Sequence, residues 1–215
     1  MYNCALCGVN VCMSGDLDKA PKNCPCMHEQ KDEIKEMYMQ EDNYKIAHIS
    51  SLISVQGIGK TRLELTMDFA KQCGFNNLGL VFCGGFLKEA NMFSKILTYN
   101  GFKVNSVLCK NGNIPLSFVD VDIPLELIPK ELIEENKPIN IPMCNPIAQA
   151  KFLNEAKTDL NIILGLCVGH DSLFIKYSEA LVTVFAVKDY VLANNPLTAI
   201  YQAESEYKDR FFPKK

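Results

Sequence analysis

The sequence has no tryptophan and only two arginines, Arg62 and Arg210, so its basic charge is nearly all lysine. Guanidinium forks are the usual bidentate readers of phosphate, and their scarcity argues against a clustered phosphate site. Twenty-two basic and 25 acidic side chains leave a net charge of −3. That is too near balance for the basic surface that nucleic-acid binding requires. No apolar run approaches the ~18 residues of a membrane span. The first residues also lack the basic-then-apolar order of a secretory leader and carry two cysteines instead. The expectation is a cytoplasmic protein with neither nucleic acid nor membrane as partner.

Cysteine is what the chain has in excess, ten in 215 residues. In a reducing compartment, thiols at that density are metal ligands or redox groups more often than disulfides. A secreted disulfide framework is the rival reading, and it fits poorly without a leader. The length suits one α/β core with a small appendage.

Residues 1–30 read as that appendage. Cys4 and Cys7 form a C-x-x-C knuckle, Cys12 follows, and Cys24 and Cys26 come after a turn-rich link. So little apolar matter cannot build a core, and a bound metal can supply the missing staple. Four thiolates at short spacing suit tetrahedral zinc or an iron–sulfur cluster. The expected set is Cys4, Cys7, Cys12 and Cys24, with Cys26 and His28 as spare ligands. Residues 31–215 then form the α/β domain. It opens with helical segments at Asp32–Gln40 and Asn43–Ile53, the second placing Ile46, Ala47, Leu52 and Ile53 on one face. His48 is expected to be partly buried among them.

Gly57–Arg62, GIGKTR, imitates a phosphate loop. The Walker pattern needs glycine five positions before Gly59, where Ser54 stands, and the segment follows a helix where a phosphate loop follows a strand. It reads instead as a turn, with Thr61 capping a helix Arg62–Cys73 that Gly74 closes. Cys73 reads as a small core hydrophobe.

From Leu78 the alternation of strand and helix is plain. Leu78–Phe82 is a strand ending at Cys83-Gly84-Gly85, with a helix Phe86–Asn100 and a strand Lys103–Leu108 ending at Cys109. This is one right-handed βαβ unit. It lacks dinucleotide-binding glycine spacing. Five prolines between 111 and 142 predict a long excursion with one short helix near Lys130–Glu135. Cys144 then precedes Asn145-Pro146, a cap and a first-turn proline for a helix to Ala156. The stretch NIILGLCVGHDSLF, Asn161–Phe174, holds a buried strand through Leu166 and Cys167. His170 and Asp171 follow, with Asp171 the expected cap of a helix Ser172–Tyr177. A strand Ala180–Val187, then Lys188 and Asp189, a last helix Leu197–Glu204 and a polar tail from Tyr207 complete the chain.

Cys83, Cys109, Cys144 and Cys167 therefore share one setting, a strand end or a helix start, and should face one edge of a small parallel, Rossmann- or flavodoxin-like sheet. Ligands collect at that edge in open α/β folds. Soft sulfur restricts the occupant to zinc, copper(I) or an iron–sulfur cluster. A four-iron cubane held by three of these thiols would keep one iron open. His170 is the candidate ligand or proton donor there, and a loop histidine held by ordinary hydrogen bonds is the competing reading. The lone C-x-x-C lies outside any βαβ unit, which weighs against a thioredoxin-like dithiol.

CALCGVNVC with LDKAPKNCP, VFCGGFLKEA, CNPIAQA, LGLCVGHDSLF and the NNPLTAIY segment together resemble the bacterial and archaeal metal-binding proteins grouped as domain of unknown function 1847. The resemblance implies a ribbon-like cysteine-rich N-terminus on an α/β body with metal binding, and supports both thiol sets named above. Tyr190 and Asn194 depart from the family pattern, which has a basic residue and a histidine there. An iron–sulfur protein with a redox or sulfur-handling role and an electron- or sulfur-transfer partner is the reading carried forward. A non-enzymatic zinc module for partner contact or metal storage is its alternative.

Overall fold

The computed structural model describes residues 2–28, 30–124, 126, 128 and 141–214. The chain divides into two compact units, Met1–Lys60 and Thr61–Lys215. The helix expected near Lys130–Glu135 lies outside the described residues.

The first unit holds short 3-10 turns at Cys4–Leu6, Leu17–Lys19 and Pro25–Met27 and one helical turn α1 (Val11–Ser14). Two longer helices follow, α2 (Lys31–Tyr38) and α3 (Glu41–Gln56). The four residues expected to share a face of α3, Ile46, Ala47, Leu52 and Ile53, are half-buried, and the buried residue of the helix is Ile49, which was not among them. His48 is exposed, its ring stacked on Tyr44 at 5.9 Å, and not partly buried as its apolar neighbours suggested. Its neighbours in sequence point elsewhere around the helix, so adjacency along the chain was a poor guide to its surroundings.

The second unit starts with α4 (Arg62–Cys73), closed at both ends as its sequence requires. Thr61 and Glu64 form a complete capping box, and Gly74 ends the helix at φ 73°. GIGKTR is thus a turn into a capped helix. Cys73 is buried within the core.

Four parallel strands form the sheet: β1 (Asn77–Phe82), β2 (Lys103–Leu108), β3 (Leu160–Leu164) and β4 (Leu181–Ala186), in the order β2-β1-β3-β4. The apolar runs LGLVF and LNIIL take the two central places, where both faces are covered, and the more mixed β2 and β4 take the edges. Helices α5 (Leu87–Tyr99), α6 (Pro146–Glu155) and α7 (His170–Tyr177) make the connections. The chain runs outward from β1 to β2 and then returns past β1 to β3. The order therefore reverses between β1 and β3, and that is the crevice where open α/β sheets place ligands.

The amino edge of the sheet is held by polar clasps. Asp159 accepts the backbone N–H groups of Asn76 and Asn77, each at 2.8 Å. Asn161, fully buried, lies over Gly79, whose missing Cβ makes room for it. It accepts from Thr158 and donates to Ser178, both at 2.8 Å.

Three elements differ from expectation. Strand β3 begins at Leu160 and stops at Leu164, because Gly165 turns away at φ 68° while its N–H bonds the Ala186 carbonyl. Cys167 consequently lies in the loop beyond the strand. Helix α7 starts at His170 with Gly169 at the cap position. Asp171 sits inside the first turn and accepts the N–H groups of Gly169 and Ser172. The last expected helix is shorter, α8 (Leu197–Tyr201), and the tail forms a further turn, α9 (Lys208–Phe211), where Tyr207 stacks on Phe211. No helix among the described residues is long and apolar enough to cross a membrane.

Candidate functional site

Three of the body cysteines follow strands at the sheet's carboxyl edge, and the fourth precedes a helix. Cys83 follows β1 directly and bonds through its N–H to the Leu164 carbonyl of β3. Cys109 follows β2, its N–H on the Phe82 carbonyl at 2.9 Å. Cys167 follows β3 after Gly165 and Leu166. Cys144 stands just before α6, where Asn145 caps the helix by accepting from Ala148 and Pro146 fills the first turn.

The excursion after β2 brings Cys144 back beside Cys109. Pro115 and Pro142 pair as an antiparallel bridge, with Leu116 N–H donating to Ile141 and Met143 N–H to Ile114. Further straps join the two cysteine segments directly. Asn145 N–H donates to the Cys109 carbonyl at 2.7 Å, and Lys110 Nζ to the Pro142 carbonyl. The Asn111 amide donates to the Leu108 and Asn145 carbonyls. Under this arrangement Cys144 Sγ lies 3.7 Å from Cys109 Sγ. From below, the fully buried Gln149 donates to the carbonyls of Val107 and Phe82 and ties the ends of β1 and β2 together.

Lys188, two residues past β4, reaches the other two thiols. Its Nζ donates to Cys167 Sγ at 3.0 Å and to Cys83 Sγ at 3.5 Å, and lies 4.8 Å from the centre of the Tyr190 ring. The sequence places Lys188 just past the last strand without saying which way it faces. The geometry puts it on the thiols. Its loop is self-braced: Asp189 accepts from Val191 and Leu192, and Asn194 returns to the Asp189 N–H. Tyr190 puts its hydroxyl where Gly85 has no Cβ.

The electrostatics set Cys109 and Cys144 apart from each other. The hydrogen bond between Cys109 and Cys144 pushes Cys109 well above the ordinary thiol range, with burial adding to it, and draws Cys144 down to about 7. With both neutral, Cys144 donates to Cys109. When the pair loses its first proton, the charge settles on Cys144, which is less buried, and the remaining S–H turns toward it. At Lys188, the bond to Cys167 and the neighbouring Cys83 raise the amine further above its usual range, so the ammonium is its resting form.

His170 does not join the thiols by its side chain. Its backbone N–H bonds the Cys167 carbonyl at 3.0 Å, and among the described residues its imidazole makes no hydrogen bond to sulfur. Among the described residues, no three His, Cys, Asp or Glu side chains stand together closely enough to hold a metal ion as they are. The donor set itself fits a soft metal: four sulfurs, no carboxylate among their polar contacts, and a cation beside them.

In the first unit, Cys4, Cys7 and Cys24 line one pocket of about 290 Å³. Cys7 accepts from the backbone N–H groups of Asn10 and Val9, which lower its pKa. Cys26 hydrogen-bonds Cys24 and feels the charge of Cys12 and Cys4, all of which hold it protonated to higher pH. His28 accepts from the Gln30 N–H and lies edge-on to Tyr2.

Residues 24–185 match the family described as Protein of unknown function (DUF1847). The match takes in all four body cysteines and Cys24. The chain is 42% identical over 199 residues to Uncharacterized protein MJ0455 of Methanocaldococcus jannaschii, covering 92% of this chain and 93% of that one. No solved structure matches. A parallel α/β sheet with a thiol-bearing carboxyl edge, a family match that spans Cys83, Cys109, Cys144 and Cys167 and a near full-length relative together place this chain in the DUF1847 family of proteins of unknown function.

Proposed function

We propose that the protein is a soft-metal thiolate protein whose working centre is held by Cys83, Cys109, Cys144 and Cys167, with an iron–sulfur cluster as occupant and a redox or sulfur-handling role. One observation carries the reading: four thiols from four separate segments gather at the crevice beside β1 and β3, with Lys188 against two of them. Buried structural cysteines have no reason to collect at the ligand-binding edge of a sheet. When bound, the cluster supplies one-electron transfer or a site for sulfur. The chain's own part is to present four sulfurs, to set a lysine cation against their negative charge and to shield the inner side with the core beneath Gln149.

A second set in the first unit, Cys4, Cys7, Cys12 and Cys24, acts as a structural metal site. Two backbone N–H groups already point at the Cys7 sulfur, as a metal-bound thiolate needs. Cys26, hydrogen-bonded to Cys24, is a substitute ligand.

Zinc in the body site is the second reading, and one distance favours it. In a tetrahedral zinc–thiolate site, Zn–S bonds of about 2.3 Å set neighbouring sulfurs about 3.8 Å apart. Cys109 and Cys144 lie at 3.7 Å. Purification without oxygen separates the two readings. A brown protein with iron and acid-labile sulfide, bleached by Cys167→Ala, supports the cluster. A colourless protein carrying zinc supports the alternative, and a metal-free one removes both.

A further inference from the structure

The four thiols are not equivalent. Cys109 and Cys144 touch sulfur to sulfur at 3.7 Å, whereas Cys83 and Cys167 share the Lys188 ammonium. We propose that, free of metal, Cys109 and Cys144 form a dithiol that exchanges with low-molecular-weight disulfides, with half-exposed Cys144 as the attacking thiol and buried Cys109 as the resolving one.

The case rests on how the two segments are held. A disulfide needs its sulfurs at about 2.05 Å and its Cβ atoms in a narrow range, so ordinary thiol pairs seldom close without moving backbone. Here the backbone is already fixed on both sides. The Asn145 N–H to the Cys109 carbonyl, the Asn111 amide to the Asn145 carbonyl, the Lys110 ammonium to Pro142 and the Pro115–Pro142 bridge all join the same two arms. From 3.7 Å the two sulfurs have about 1.65 Å to close. Exposure assigns the order of events: a disulfide from solution reaches Cys144, while Cys109, 3% exposed, is closed to it and has the Cys144 sulfur at 3.7 Å.

The chemistry balances as exchange. The Cys144 sulfur attacks one sulfur of RS–SR, that bond breaks, and RSH leaves with the proton Cys144 gave up. Cys109 then attacks the Cys144 sulfur of the mixed disulfide and expels a second RSH with its own proton. Two electrons and two protons pass from the protein to the reagent, and a Cys109–Cys144 bond remains. A dithiol in solution reverses it. At the other pair the ammonium is hydrogen-bonded to both sulfurs, and closing that bond would strip it of these two partners.

This activity goes beyond the metal centre and uses two of its sulfurs, so metal loading blocks it. The test takes the full chain, strips it with a chelator under nitrogen, adds oxidised glutathione, quenches with iodoacetamide and maps the bonds by peptide mass spectrometry. The expected product is a Cys109–Cys144 crosslink. Cys109→Ser should stop at a lasting glutathione adduct on Cys144, and Cys144→Ser should leave Cys109 unreacted. A Cys83–Cys167 bond, a lasting adduct on the unmutated chain, or no reaction at these residues overturns the proposal. The unmutated map decides it even where a serine variant folds poorly. Because the metal content of untreated protein is measured separately, failure here leaves the metal reading standing, and the converse holds too.

Discussion

Replacing Gly165 by alanine probes how the end of β3 packs against the turn that carries Cys83. Gly165 has φ 68°, a left-handed conformation that costs a residue with a Cβ roughly 1–2 kcal/mol. A Cβ there would also overlap the ring of Phe86, three of whose carbons lie well inside contact distance. Phe86 cannot step aside cheaply. It is 6% exposed, it packs in the core, and its N–H is bonded to the Cys83 carbonyl at 2.8 Å. Forcing an extra methyl into such a site costs about 1–3 kcal/mol, so Gly165→Ala should lose about 2–5 kcal/mol in all. Gly74→Ala is the matched control. Gly74 has φ 73° with open space around its missing Cβ, so only the backbone cost of about 1–2 kcal/mol applies. In urea, where stability falls by about 1–3 kcal/mol per molar, the Gly165 variant should unfold roughly 1 M earlier than the Gly74 variant. Phe86 and Cys83 belong to one turn, so metal content should fall with it. Equal midpoints for the two variants would refute the wedge between Gly165 and Phe86.

Two further outcomes follow from contacts already described. Lys188→Gln removes the cation from Cys83 and Cys167 and should weaken the binding of cobalt(II), titrated as a thiolate probe, by about tenfold on the scale of one partly buried charge contact; Lys188→Arg should restore much of it, and a Gln variant that binds as the parent does would deny the lysine its part. Thr61→Ala deletes the capping box of α4 and should cost about 1 kcal/mol in urea unfolding, while Thr61→Ser costs little.

The fold was largely legible because its signals are local. A capping threonine, a closing glycine and two mostly apolar runs determine α4, β1 and β3 with little help from the rest of the chain. Strand β3 was misplaced by two residues because Leu166 is as apolar as the strand itself, and only the backbone at Gly165 reveals the turn. His48 was misjudged for a related reason: an apolar neighbourhood in sequence does not determine which way a helical side chain faces. At the site, each cysteine could be placed at a strand end or helix start from its own neighbours. What no local pattern holds is the partition of the four into a touching pair and a lysine-bridged pair. That depends on the Pro115–Pro142 pairing and on a loop beyond β4, contacts between residues far apart in sequence. Lys188 had one legible signal, its place just after the fourth strand, but nothing nearby marked it as facing sulfur.

The bridge between Pro115 and Pro142 has a consequence for how such a protein can diversify. It ties the two arms at their base, so the sulfurs at 109 and 144 are positioned before the intervening polypeptide has any say. Doubling the length of a flexible loop adds only about 0.6 kcal/mol of closure entropy. A change of length between residues 116 and 141 would therefore cost little closure entropy and leave the two sulfurs where the bridge holds them.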